Sequence, residues 1–153
     1  MSELISQMYF DDFEVGQRYD FGRRTVTDTH FALFSAISGD NHPIHYDDVY
    51  AKRTRFGRRV THGLLLAGMT ALGAAPLSSL LHDSMVAFVD FSCQFLKPVF
   101  IGDSIAIEAE VSELRPKGGT GLVRFDIAMR NQDEEIVLRG SHSYILRTRT
   151  RNE

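Results

Sequence analysis

Nineteen consecutive residues, 63 to 81, carry no charge. An uncharged stretch of that length either crosses a bilayer or runs through the middle of a folded domain. Its composition favours the second. Pro76 interrupts it, Thr70, Ser78 and Ser79 lie inside it, and Gly63, Gly68 and Gly73 weaken it as a free-standing helix. Small side chains at Ala67, Ala71, Ala74 and Ala75 leave room for other backbone to approach. The run predicts a long buried helix beginning at Gly63, with the rest of the chain packed around it.

Beyond the run the apolar residues alternate. Residues 86–95 place Ala87, Val89, Phe91, Cys93 and Phe95 on one face. After a break at Lys97-Pro98 and a turn at Gly102-Asp103, Ile105, Ile107, Ala109 and Val111 repeat the period of two. A flexible connection over 117–121 leads to Val123, Phe125, Ile127 and Met129. A turn at 131–134 precedes a last strand over 135–148. Ahead of the run, an early strand near 19–25 is followed by a helix with Thr27 as N-cap, Asp28 in its first turn, and Phe31, Phe34 and Ile37 on one side. Ser38-Gly39 ends it, a polar loop runs from 40 to 48, and a short helix over 49–53 follows. A buried helix followed by antiparallel strands is an α+β pattern.

The chain of 153 residues reads as one domain over 1–153, with no repeat or linker. Only the first few residues and the basic tail 147–153 have the look of disorder. Seventeen Lys and Arg against 20 Asp and Glu give a net charge of −3, which excludes a dedicated nucleic-acid binder. The single cysteine, Cys93, excludes an internal disulfide, and its place in the alternation makes it a core residue rather than a nucleophile. The N-terminal residues lack a basic region followed by an apolar core, so a cytoplasmic protein without a membrane segment is expected.

Titratable residues concentrate at Ser38-Gly39-Asp40-Asn41-His42-Pro43-Ile44-His45-Tyr46-Asp47, with Thr61-His62-Gly63 at the entry to the uncharged run. Asp40 and His45, in a loop stiffened by Pro43, are a carboxylate and an imidazole placed to hold one water between them. Gly63 begins a helix, so its N–H is one of the donors without a helical acceptor and suits an oxyanion. The same residues also fit a merely structural loop, with Asp40 as a cap and His45 as a satisfied histidine. His42, His45 and His62 could suggest a metal, but Pro43 lies inside the spacing and no metal is expected. Lys52, Arg53, Arg55, Arg58 and Arg59 form a basic cluster. It is either a solvated face balanced by Asp47 and Asp48 or a dock for phosphates.

Three blocks, SGDNHPIHYD, FGRRVTHGLLLAG and FLKPVFIGD, occur in that order between residues 38 and 103. The chain thereby resembles the MaoC-like dehydratases, the (R)-specific enoyl-CoA hydratase family. The resemblance implies a hotdog fold, in which a curved antiparallel sheet wraps a long central helix. It implies reversible hydration of a 2-enoyl-CoA to an (R)-3-hydroxyacyl-CoA, a hydro-lyase reaction of fatty acid metabolism. In that reading Asp40 and His45 act on one water and the Gly63 N–H polarises the thioester carbonyl. Which of Asp40 and His45 is acid and which is base stays open. Asn41, His42, His62, Arg55, Arg58 and Arg59 become substrate-binding candidates. No cofactor is implied, coenzyme A being part of the substrate, and the acyl group could instead ride on an acyl carrier protein.

The chain departs from the family pattern at two places. His42 stands where an Asn is usual and could order the loop through its ring N–H, and Gly68 stands where a Ser is common. An acyl-CoA thioesterase, or a non-catalytic acyl-binding subunit of a hetero-oligomeric dehydratase, are the alternative readings. In this family the acyl-CoA tunnel lies between two hotdogs, so a single copy implies a homodimer, or a dimer of dimers or trimer of dimers.

Overall fold

The structure, a computed structural model, describes residues 6–149. Strands β1 (Arg18–Thr25), β2 (Met85–Phe95), β3 (Ser104–Lys117), β4 (Thr120–Arg130) and β5 (Ile136–Arg147) form one sheet in the order β1-β3-β4-β5-β2, every neighbouring pair antiparallel. Helices α1 (Asp28–Ser38), α2 (Pro43–Tyr46), α3 (Asp48–Lys52), α4 (Gly63–Met69) and α5 (Leu77–Leu80) all fall between β1 and β2. This is the hotdog arrangement, an α+β fold. Among the described residues no helix is long and apolar enough to cross a membrane.

The alternation read from β3 and β4 points inward as expected. Ile105, Ile107, Val111, Val123, Phe125 and Met129 are sealed off from solvent and pack against Phe31, Leu66, Met69, Leu72 and Leu77 from the helical half. Each fully buried aliphatic or aromatic side chain contributes roughly 1.5–3 kcal/mol. At the start of α1 the Thr27 backbone N–H donates to Nδ1 of His30 at 2.9 Å, the place a Glu or Gln takes in a capping box.

The central helix is shorter than the uncharged run. Helix α4 stops at Met69, a 3₁₀ turn follows over Leu72–Ala74, and α5 begins after Pro76. Thr70 folds back, its hydroxyl donating to the Ala67 carbonyl at 2.6 Å. Ala75, ahead of Pro76, is extended (φ −96°, ψ 150°), as the proline ring demands of its predecessor. Nor is the run buried all round. Leu64, Gly68 and Ala71 are exposed.

Strand β2 also departs from strict alternation. The β2–β5 register shifts between Met85 and Ala87 and again between Phe88 and Asp90. An inserted residue resets the period of two, so Phe88 and Phe91 share one side rather than lying on opposite faces. Phe88 stacks on Tyr144 at 4.8 Å, and both phenylalanines meet the His142 ring. Cys93 is partly buried against the core, which raises its thiol pKa. The expected flexible connection at 117–121 is a tight hairpin with β3 ending at Lys117 and β4 starting at Thr120. The tail expected to be loose is partly held. Arg147 closes β5, and the Arg149 guanidinium pairs with Asp12 at 2.6 Å over the Tyr9 ring. Residues 1–5 and 150–153 lie outside the described residues.

Candidate active site

Gly39 terminates α1 in the left-handed conformation (φ 74°), its N–H bonded to the Ser35 carbonyl at 2.8 Å, and this turn delivers Asp40. The loop beyond is stitched by short-range bonds. The Asp40 N–H donates to Ser38 Oγ at 3.1 Å, Asp40 Oδ1 accepts from the His42 N–H at 3.2 Å, and the Asn41 side chain bonds Ser35 Oγ. His42 caps α2. Its Nδ1 accepts from the Ile44 N–H at 3.2 Å, so it orders the loop through a ring lone pair and not through its ring N–H. Pro43 takes the first position of α2, where a missing N–H costs nothing. The short helix then presents His45 and Tyr46 on the same turn.

The structure brings together Asp40, His45 and His62. A carboxylate oxygen and one nitrogen from each ring lie within 4.8 Å of one another, close enough for one water to touch two of them. His45 Nδ1 lies 2.6 Å from the Val60 carbonyl oxygen. A carbonyl only accepts, so Nδ1 carries the proton and neutral His45 keeps its lone pair on Nε2. Asp40 is exposed, His45 half-buried and His62 buried. Burial holds the His62 pKa below the usual histidine value, and neighbouring His45 pushes it the same way, against an opposing pull from Asp40.

These three residues have the composition of a metal site but not its geometry. The His45 and His62 rings are stacked, centroids 3.8 Å apart and planes 23° from parallel. Their in-plane lone pairs therefore lie along axes in two separate, nearly parallel planes. A metal held about 2.0–2.1 Å from both would sit far off at least one of those axes.

Gly63 opens α4 immediately after His62, and its amide has no carbonyl one turn earlier in the helix. A Cβ built at position 63 would stand 3.0 Å from the Phe95 ring, so any larger residue here requires that ring to shift by a few tenths of an ångström.

The basic cluster separates into different environments. Arg59 is committed to carboxylates, 2.9 Å from Asp28 and 3.0 Å from Asp48, with little of its side chain exposed. Arg58 lies over the Phe100 ring at 3.9 Å and Arg55 over Phe56 at 4.8 Å, both without a carboxylate partner among the described residues. Asp47 balances none of them, since it caps α3 by accepting from Val49 and Tyr50.

Three contributors escape a reading of the sequence: the Val60 carbonyl, the Tyr46 hydroxyl and the Phe95 ring. Val60 acts through backbone and leaves no side-chain signal. Tyr46 sits next to His45 in the motif, but its partners on α1 and at the start of α4 are distant in sequence. Phe95 belongs to a strand whose bulges obscure which way it faces.

A cavity of about 650 Å³ opens between α4 and β2, walled by Gly68, Ala71, Phe88, Phe91, His142 and Tyr144 among others. It is mostly apolar, and Thr70, His142 and Tyr144 in its wall form one hydrogen-bonded chain. Thr70 Oγ1 lies 3.0 Å from His142 Nε2, and His142 Nδ1 lies 3.1 Å from the Tyr144 hydroxyl.

The family profile described as "MaoC like domain" matches residues 12–129. A 3-hydroxybutyryl-CoA dehydratase of Methylorubrum extorquens is 34% identical over 110 residues, 72% of this chain and 68% of that protein. An (R)-specific enoyl-CoA hydratase of Aeromonas caviae is 35% identical over 108 residues, 71% of this chain and 78% of the relative. The X-ray structure of a monoamine oxidase regulatory protein from Archaeoglobus fulgius superposes with a TM-score of 0.87 at 32% identity, covering 95% of this chain and 97% of that one.

Proposed function

The chain belongs to the MaoC-like domain family of hydratases and dehydratases, and on that footing we propose that it catalyses the reversible hydration of a 2-enoyl-CoA to an (R)-3-hydroxyacyl-CoA. The observation that carries the reading is the Asp40 carboxylate within one water's reach of His45, whose Nδ1 is held 2.6 Å from the Val60 carbonyl.

The chemistry follows from the tautomer this contact sets. Resting His45 presents a lone pair, so it accepts from a water that Asp40 also accepts from. The Gly63 N–H donates to the thioester oxygen, drawing charge from C3. The water oxygen bonds to C3 as one of its O–H bonds breaks, and the proton passes to the Asp40/His45 pair. Protonated His45 then returns a proton from Nε2 to C2 on the same face. His45 becomes the donor only after taking a proton, an order of events that depends on the tautomer and so on the Val60 carbonyl. Dehydration is the reverse.

The same reading places the acyl chain in the cavity beside α4 and the coenzyme A phosphates against Arg55 and Arg58. Arg59, held by two carboxylates, serves the scaffold instead. A second copy of the chain completes the tunnel. β2 is an edge strand, and Val86, Phe88, Val89, Phe91, Phe95 and Leu96 leave a row of large apolar side chains exposed along it and just past its end.

The test is direct. Purified protein mixed with crotonyl-CoA and with longer and branched 2-enoyl-CoAs is followed for loss of enoyl-thioester absorbance, with free thiol measured in parallel. Loss without thiol release is expected. Thiol release without hydration would make the protein a thioesterase, and no reaction unless a second chain is added would make it a non-catalytic subunit.

A further inference from the structure

The reaction proposed above assigns no role to His62, yet it is 2% exposed and lies flat against His45. Its hydrogen bonding is determined by its neighbour. The Tyr46 hydroxyl is 2.9 Å from the Phe31 carbonyl, which only accepts, so the tyrosine proton goes there. The Tyr46 oxygen is then an acceptor, and His62 Nε2, also 2.9 Å away, is the donor. His62 Nδ1 meets no hydrogen-bond geometry among the described residues, although the Asp40 backbone lies close enough to favour the ring's charged form. Two rings of α1 grip the imidazole from other directions, Phe34 at 4.8 Å and Phe31 at 5.2 Å. His62 is thereby clamped to α1 both by packing and through Tyr46.

His45 has one hydrogen bond of its own, from Nδ1 to the Val60 carbonyl. One bond fixes the tautomer but leaves the ring free to rock about the line joining donor and acceptor. A flat, immobile surface against the ring face removes that freedom, and the 3.8 Å stack on His62 is such a surface. We infer that Tyr46 and His62 are a positioning pair, a brace anchored on the Phe31 carbonyl that sets the plane of the His45 ring and so aims its Nε2. The pair acts through His45 rather than on the substrate. The assignment rests on the reaction proposed above, and it moves His62 from a substrate-binding candidate to the layer behind the reacting groups.

A brace of this kind acts as one unit, so removing either member should cost about what removing both costs. Tyr46→Phe, His62→Leu and the double variant are compared with wild type and with Asp40→Asn in enoyl-CoA hydration. Each single variant is expected to lower kcat about tenfold with KM changed less than about twofold, and the double variant to fall no further than about twofold below the worse single one. His62→Gln, which restores an N–H within reach of Tyr46, is expected to recover most of the kcat lost in His62→Leu. Should His62→Leu fail to fold, Tyr46→Phe with and without His62→Gln carries the comparison. Losses that multiply, a change confined to KM, or wild-type kcat in Tyr46→Phe would overturn the brace. Ring-nitrogen NMR of His45 gives a reading that does not depend on turnover. Sharp His45 ring resonances in wild type, and resonances broadened by ring motion in Tyr46→Phe with the Nδ1–H tautomer kept by Val60, are expected, and identical spectra would overturn the inference. If Asp40→Asn stays active the proposed reaction fails. If only Asp40→Asn is impaired, the reaction stands and the brace falls.

Discussion

Asp40 and His45 are five residues apart, and the chain uses every residue between them to hold that separation. Asn41 ties back to Ser35, His42 caps α2, Pro43 starts it and the Ile44 N–H closes the cap. Because neighbours in sequence make this geometry, it is legible in the order of the residues themselves. Through-space contributors are not, since a carbonyl such as Val60 looks like any other residue in the sequence. Gly63 lies between these cases: its place at a helix start is readable, but the ring packed against it is not. With Phe95 only 3.0 Å from where a methyl group would go, Gly63→Ala must push the ring aside or tilt the amide. Turnover should fall about tenfold or more while the melting temperature changes little. Shortening the ring with Phe95→Leu in the same chain should restore part of it. A Gly63→Ala enzyme with normal kcat would separate that amide from the reaction.

At the scale of elements, β3 and β4 are readable in the sequence because one face of each is buried and the period of two is unbroken. β2 is not, because its two bulges exchange the sides on which Phe88 and Phe91 appear. The uncharged run overstates the central helix because absence of charge reports surroundings, not conformation, and Thr70 and Pro76 end the helical stretches regardless. β5 carries a stability consequence. Burial pushes His142 down to about 4, between Thr70 and Tyr144. The unfolded chain, with an ordinary histidine near 6.5, binds the proton more readily through that window, so stability rises with pH across it. His142 therefore contributes fully above about pH 6.5, and that contribution is lost as pH falls towards 4, on the order of 3 kcal/mol in all. Denaturant titrations at a series of pH values should show this slope, and His142→Asn should flatten it. An equal slope in the variant would assign the acid sensitivity elsewhere.

At the scale of the molecule, Leu64, Gly68 and Ala71 are exposed, and so is the apolar edge strand β2. A second copy meeting β2 would cover both. Val89 is half exposed on that edge, and a charge there blocks edge pairing. Val89→Lys should sediment as a monomer, keep its folded spectrum and lose most of its turnover. An active monomer would show that one chain builds the whole tunnel. Whatever the assembly, the claim on which the rest depends is that the Asp40/His45 pair performs the reaction. It is tested most directly by the turnover of Asp40→Asn and His45→Gln with a 2-enoyl-CoA that wild type hydrates, on protein shown to be folded. A loss of at least about a hundredfold in each is predicted, and near-normal turnover in both would place the active site elsewhere.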